Sequence, residues 1–150
     1  MKKFFLSLFL LVLVNGVYSQ GYNQENIALT NFLIRMYENA PFDGVRVVDD
    51  YEHKYLISVL ALDKAKYTNE SQMNRVAEVK ARSQASRFFN GSQVSSNLII
   101  RMSEKSDGTS DVETLETINE NSIGYVSGLQ QLTSFSDTQG LIVFIYYKEL

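Results

Sequence analysis

Residues 69–91 read NESQMNRVAEVKARSQASRFFNG, and this stretch decides the fold. Met73, Val76, Ala77, Ala81, Ala85, Phe88 and Phe89 recur at steps of three and four, which gathers their side chains on one helix face. Asn69 stands where a cap belongs, Gln72 follows in capping-box register, and Asn90-Gly91 marks a left-handed stop. Arg75, Glu78, Lys80, Arg82 and Arg87 fall on the polar side. Ala77, Ala81 and Ala85 keep the apolar face smooth enough to lie close against a sheet. The pattern predicts one long amphipathic helix whose apolar stripe is core rather than a cofactor box.

Working back from this helix, Lys54 to Leu62 reads as a strand and Asp49 to Glu52 as the polar turn before it. Asp43-Gly44 turns the chain into a shorter strand at Val45 to Val48. Asn26 to Asn39 carries Ile27, Leu29, Phe32, Leu33, Met36 and Tyr37 at helical spacing and is stopped by Asn39-Ala40-Pro41. Beyond the long helix, Val94, Ser96, Leu98, Ile100 and Met102 alternate with polar or exposed partners apart from Ile99, and Ser106-Asp107-Gly108-Thr109 supplies a hairpin turn. Val112 to Asn121 fits a strand through its threonines, although Val112, Leu115 and Ile118 also fit helical spacing. Tyr125 to Phe135 and Leu141 to Tyr147 read as a last hairpin around the turn Ser136 to Gly140. Leu141 to Tyr147 is apolar on both faces, as an interior strand or one at a subunit contact would be. The expectation is an α+β domain: an antiparallel sheet, one long helix packed across it, and an additional N-terminal helix.

The chain starts with Lys2 and Lys3, an apolar run from Phe4 to Val14, and Val17-Tyr18-Ser19 before Gln20. That order of charge, apolar run and small residues is a secretory signal, predicting removal of residues 1–19 and a single domain over 20–150. The apolar run falls short of the roughly 20 residues a membrane span needs, and no later stretch reaches that length. Losing both lysines makes the net charge two units more negative than the −3 of the full chain. An acidic domain has no electrostatic grip on nucleic acid or on an anionic membrane surface. There is no cysteine, which excludes disulfides, zinc thiolate sites, cysteine nucleophiles and lipid anchoring by the usual bacterial lipobox route. A cysteine-free exported domain fits a bacterial envelope, periplasmic or extracellular. In that setting the sequons Asn69-Glu70-Ser71 and Asn90-Gly91-Ser92 carry no weight.

Little in the sequence points to catalysis. His53 is the only histidine and sits in the turn with Asp49, Asp50 and Glu52, where a solvated hairpin is the simpler reading than a metal or acid–base site. Asp107, Asp111 and Glu113 lack the ligand spacing of a calcium loop. No Gly-x-Ser-x-Gly elbow occurs, and Ile123-Gly124-Tyr125-Val126-Ser127-Gly128 has too few glycines for a phosphate-binding loop. Its glycines suit a bulge or a close backbone approach within a strand. Catalytic, cofactor-binding and metal-ligating residues are accordingly expected to be none. Nine Tyr and nine Phe in a chain without Trp instead raise the prospect of an aromatic contact surface, with Tyr125, Phe144, Tyr146 and Tyr147 as its candidates.

The pieces Ile57-Ser58-Val59-Leu60, Arg75 to Ala85, Gly91-Ser92-Gln93-Val94, Ile123 to Gly128 and Gly140 to Ile145 follow one another in a characteristic order. In that order the run from Val59 to Ile145 resembles the envelope domain of LPP-type bacterial membrane-associated lipoproteins and is similar to the N-terminal domain of flagellar assembly protein T. The chain departs from the lipoproteins in having no cysteine to lipidate. The resemblance implies a non-enzymatic envelope role in assembly or interaction and brings no active-site residues with it. Two functions are therefore expected in competition. One is a structural or protein-interaction role with an envelope partner or a second copy of the chain. The other is a soluble binding module for a small apolar or glycan ligand.

Overall fold

The computed structural model describes residues 24–50, 52–91, 99–101 and 122–150. The expected signal, the hairpin at Ser106 to Thr109 and the segment Val112 to Asn121 lie outside these residues. Helix α1 spans Gln24–Asn39, strand β1 Gly44–Asp49 and strand β2 Lys54–Leu62, joined through a short 3₁₀ turn at Lys64–Lys66 to helix α2, Glu70–Gly91. Strand β3 (Ile99–Arg101), the short helix α3 (Ser122–Ser127), β4 (Gln130–Ser136) and β5 (Ile142–Glu149) complete the described elements.

The start of α2 is built as its sequence demands. The Asn69 side chain accepts from the Gln72 backbone N–H at 2.8 Å, and Gln72 Oε1 accepts in return from the Thr68 N–H at 2.9 Å. The reciprocal bond thus reaches one residue further back than in the usual capping box. The helix continues through Gly91, the glycine of the expected stop.

The sheet has the order β3-β1-β2-β5-β4. Four strands pair antiparallel, β1 with β2, β2 with β5 and β5 with β4, which is the expected α+β architecture. One edge departs from it: β3 runs parallel to β1, matching Val47 to Ile99 and Asp49 to Arg101. A parallel neighbour needs a crossover, which the chain makes by way of α2.

The two helices cover opposite faces. On one face, Met73, Ala77, Ala81, Ala85 and Phe88 of α2 pack on Val45, Val47, Leu56, Leu60, Phe144 and Tyr146. On the other, Leu29, Leu33 and Tyr37 of α1 pack on Val48, Ile57, Val59, Val143 and Ile145. This explains why β2 and β5 are apolar on both sides: each is an interior strand between two layers.

The segment read as one strand from Tyr125 to Phe135 is instead two elements. Ser122–Ser127 is helical, Gly128 donates its N–H to the Gly124 carbonyl at 3.0 Å, and the strand starts only at Gln130. Gly128 does mark a close approach, because a Cβ there would lie 3.1 Å from both the Gly124 carbonyl oxygen and the Lys148 side chain. The β4–β5 turn is held by Asp137, whose carboxylate accepts from the N–H groups of Gln139 and Leu141, with Gly140 at a φ of 81°.

Candidate functional site

The four aromatic residues singled out from the sequence do not meet. Phe144 is 1% exposed and Tyr146 3%, both in the layer between the sheet and α2. Tyr147 lies half-buried on the opposite face, its ring 6.3 Å from that of Tyr55. Tyr125 is on α3, 6.5 Å from Phe89. Phe144 therefore presents no surface to a partner, and Tyr146 serves chiefly as core. Burial pushes the Tyr146 phenol above its ordinary pKa, the Glu78 carboxylate adds to the rise, and Arg82 opposes it.

His53 is not left to solvent. Its Nδ1 lies 2.8 Å from Glu149 Oε1, tying the β1–β2 turn to the end of β5. The Leu150 N–H donates to the Lys54 carbonyl beside it at 2.8 Å. Among the described residues, no group of three or more His, Cys, Asp or Glu side chains comes together in a form that could hold a metal ion. No described helix is long and apolar enough to cross a membrane.

A feature that the sequence reading missed is the β4 edge. Among the described residues β4 ends the sheet, and Gln130–Ser136 (QQLTSFS) carries neither a charge nor a proline. Folded proteins commonly protect a long edge with lysine, proline or brevity. β4 has seven residues, with a register shift between Gln131 and Thr133 as an irregularity.

The backbone direction of β4 follows from its ladder. Asp137 donates its N–H to the Leu141 carbonyl at 2.9 Å, so the bonded pairs going back along the hairpin are Phe135 with Val143 and Thr133 with Ile145. Ser134 and Ser136 alternate with these, and their N–H and C=O groups point away from β5.

Among the described residues, both faces beside this edge are open. On the α2 side lies a hollow of about 660 Å³ lined by Glu70, Asn74, Arg75, Glu78, Gln131 and Tyr146. On the α1 side a second, of about 410 Å³, is lined by Ile27, Thr30, Asn31, Gln130, Leu132 and Tyr147. The two helices stand back from β4, and a strand added there would have room for its side chains on each face. A third, more apolar hollow of about 360 Å³ lies between α2 and α3, with Arg82, Phe89, Val126 and the 86%-exposed Ile123 on its walls.

Comparison of the chain with protein-family models finds no match, and comparisons with curated proteins and with solved structures find none either. The functional reading therefore rests on the sequence and on this geometry. The sequence signal for the edge was present, a seven-residue strand without charge between Gly128 and Asp137. What it lacked was the strand order.

Proposed function

We propose that this chain is an exported, non-enzymatic protein of the bacterial cell envelope, periplasmic or extracellular, acting through a protein contact along β4. The observation carrying this reading is the uncharged seven-residue edge with outward-pointing backbone groups and a hollow on either face. Such an edge binds an extended segment by main-chain hydrogen bonds, while the hollows receive its alternate side chains. The order of charge, apolar run and small residues at the N-terminus supports export, and the resemblance to LPP-type lipoprotein domains supports an assembly role. Complementation of a deletion strain tests the reading. Ser134→Pro removes an outward N–H without removing a bond to β5, and an edge strand tolerates it. Loss of function in folded Ser134→Pro protein is the expected result, and full function would overturn the reading.

A second reading has its own support. The α2-side hollow presents Asn74, Arg75, Glu78 and Gln131 beside Tyr146, a set of planar polar groups suited to a glycan. Titrating the protein with neutral oligosaccharides while following amide shifts along α2 tests it, and unmoved resonances would dismiss it.

A further inference from the structure

We infer that the segment that pairs with β4 is β4 of a second copy of the chain, joined antiparallel about a two-fold axis so that the sheets of two molecules run on into one. This rests on the edge being the contact surface and names its partner.

Three observations favour a second copy. First, the strand carries no charge, so a copy of itself brings no like charges into opposition along the edge. The rim of the α2-side hollow holds both signs, Arg75 with Glu70 and Glu78, so two identical rims offer each other opposite charges. Second, a two-fold perpendicular to the sheet keeps α1 of both molecules on the same side. Phe135, half-buried against the α1 layer, would then meet its counterpart where Ser134 of one copy pairs with Ser136 of the other. Ile27, 39% exposed, lies beside that seam. Third, Ser134 and Ser136 offer donors and acceptors at the spacing of two residues that an antiparallel copy of the same strand matches.

The size of the contact sets its strength. Seven residues of strand extend about 24 Å, and one edge with its rims falls at the low end of specific interfaces, below about 1,200 Å² in total. The pairing is therefore a concentration-dependent equilibrium and not an obligate dimer.

Sedimentation velocity on the chain from Gln20 to Leu150, from low micromolar to near-millimolar concentration, tests this. The expected result is a reversible monomer–dimer equilibrium that Ser134→Pro weakens at least about tenfold, with an unchanged thermal midpoint. Because the chain has no cysteine, Ser134→Cys introduces a single thiol for a spin label. A short label-to-label distance in the dimer is expected, and Val79→Cys on the exposed face of α2 should give a long one. A chain that stays monomeric throughout overturns the inference, as does a dimer with no short distance at position 134. If either occurs while Ser134→Pro still abolishes complementation, the edge contacts a different protein, and only the identity of the partner has failed. If Ser134→Pro also complements fully, the edge reading falls with it.

Discussion

The Ser58 hydroxyl, fully buried in the middle of β2, donates toward Gln84 Oε1 at 2.8 Å and lies 3.2 Å from the Ala81 carbonyl oxygen. Gln84 in turn donates through Nε2 to the Asp43 carboxylate. A polar thread thus crosses from the loop before β1, over α2, into the apolar layer between that helix and the sheet. Removing its inner end leaves the Gln84 carbonyl without that donor, so Ser58→Ala should cost about 1 kcal/mol. Asp43→Ala should couple to it. A double-mutant cycle on denaturant midpoints checks this, and strict additivity would mean that the thread is not one unit.

The same face explains the alanines. Ala77, Ala81 and Ala85 have no exposed surface, and the close approach at Ala81 is what brings its carbonyl to Ser58. Added methylenes there have no space, so Ala81→Leu or Ala85→Leu should destabilise the fold by about 1–3 kcal/mol. Lys80 is exposed, and Lys80→Ala should move the denaturant midpoint far less. Equal midpoints would place the packed face elsewhere.

How much of this was legible in the sequence depended on how local the cause is. α1, β2 and α2 announce themselves through spacing and caps that sit within a few residues of each other. The pairing of β3 with β1 depends on segments far apart in sequence, brought together by the α2 crossover, which no local pattern records. The short helix α3 was missed because Ile123, Tyr125 and Val126 are good strand formers, while the bonds that curl the segment are the Ser127 hydroxyl and the Gly128 N–H donating to the Gly124 carbonyl. The burial of Phe144 and Tyr146 was not legible for a related reason. Alternation put Phe144 and Tyr146 on one face and Tyr147 on the other, but left open whether those faces are covered within the chain or at a subunit contact.

Burial also gives stability an alkaline limit. Tyr37 and Tyr146 both have phenol pKa values raised above the ordinary 10.0, chiefly by desolvation; for Tyr37, Asp137 and then Asp43 add to it. With the folded pKa above the unfolded one, the folded state holds its protons longer, and stability is constant with respect to these groups below pH 10. It should fall as pH rises from there through the folded pKa values. Replacing either tyrosine by Phe should flatten that fall in a plot of unfolding free energy against pH. An unchanged slope in both variants would assign the alkaline loss to other groups.

The His53–Glu149 pair is the one place where a neutral-pH acid–base group has a defined partner, so it separates an interaction module from a catalyst. The two side chains are 33% and 55% exposed, and solvent-screened pairs of this kind contribute about 0–1 kcal/mol. His53→Ala should therefore lower stability by no more than that and leave the biological role intact. Most metal or nucleophile schemes in this chain would need the imidazole, since it is the only one. The comparison is complementation by His53→Ala beside Tyr147→Ala, the aromatic of β5 that remains partly accessible and lines the α1-side hollow next to β4. Loss with Tyr147→Ala alone, in protein still folded by circular dichroism, supports a contact at that edge. Loss with His53→Ala in folded protein would defeat the interaction reading and return His53 and Glu149 to consideration as a chemical site.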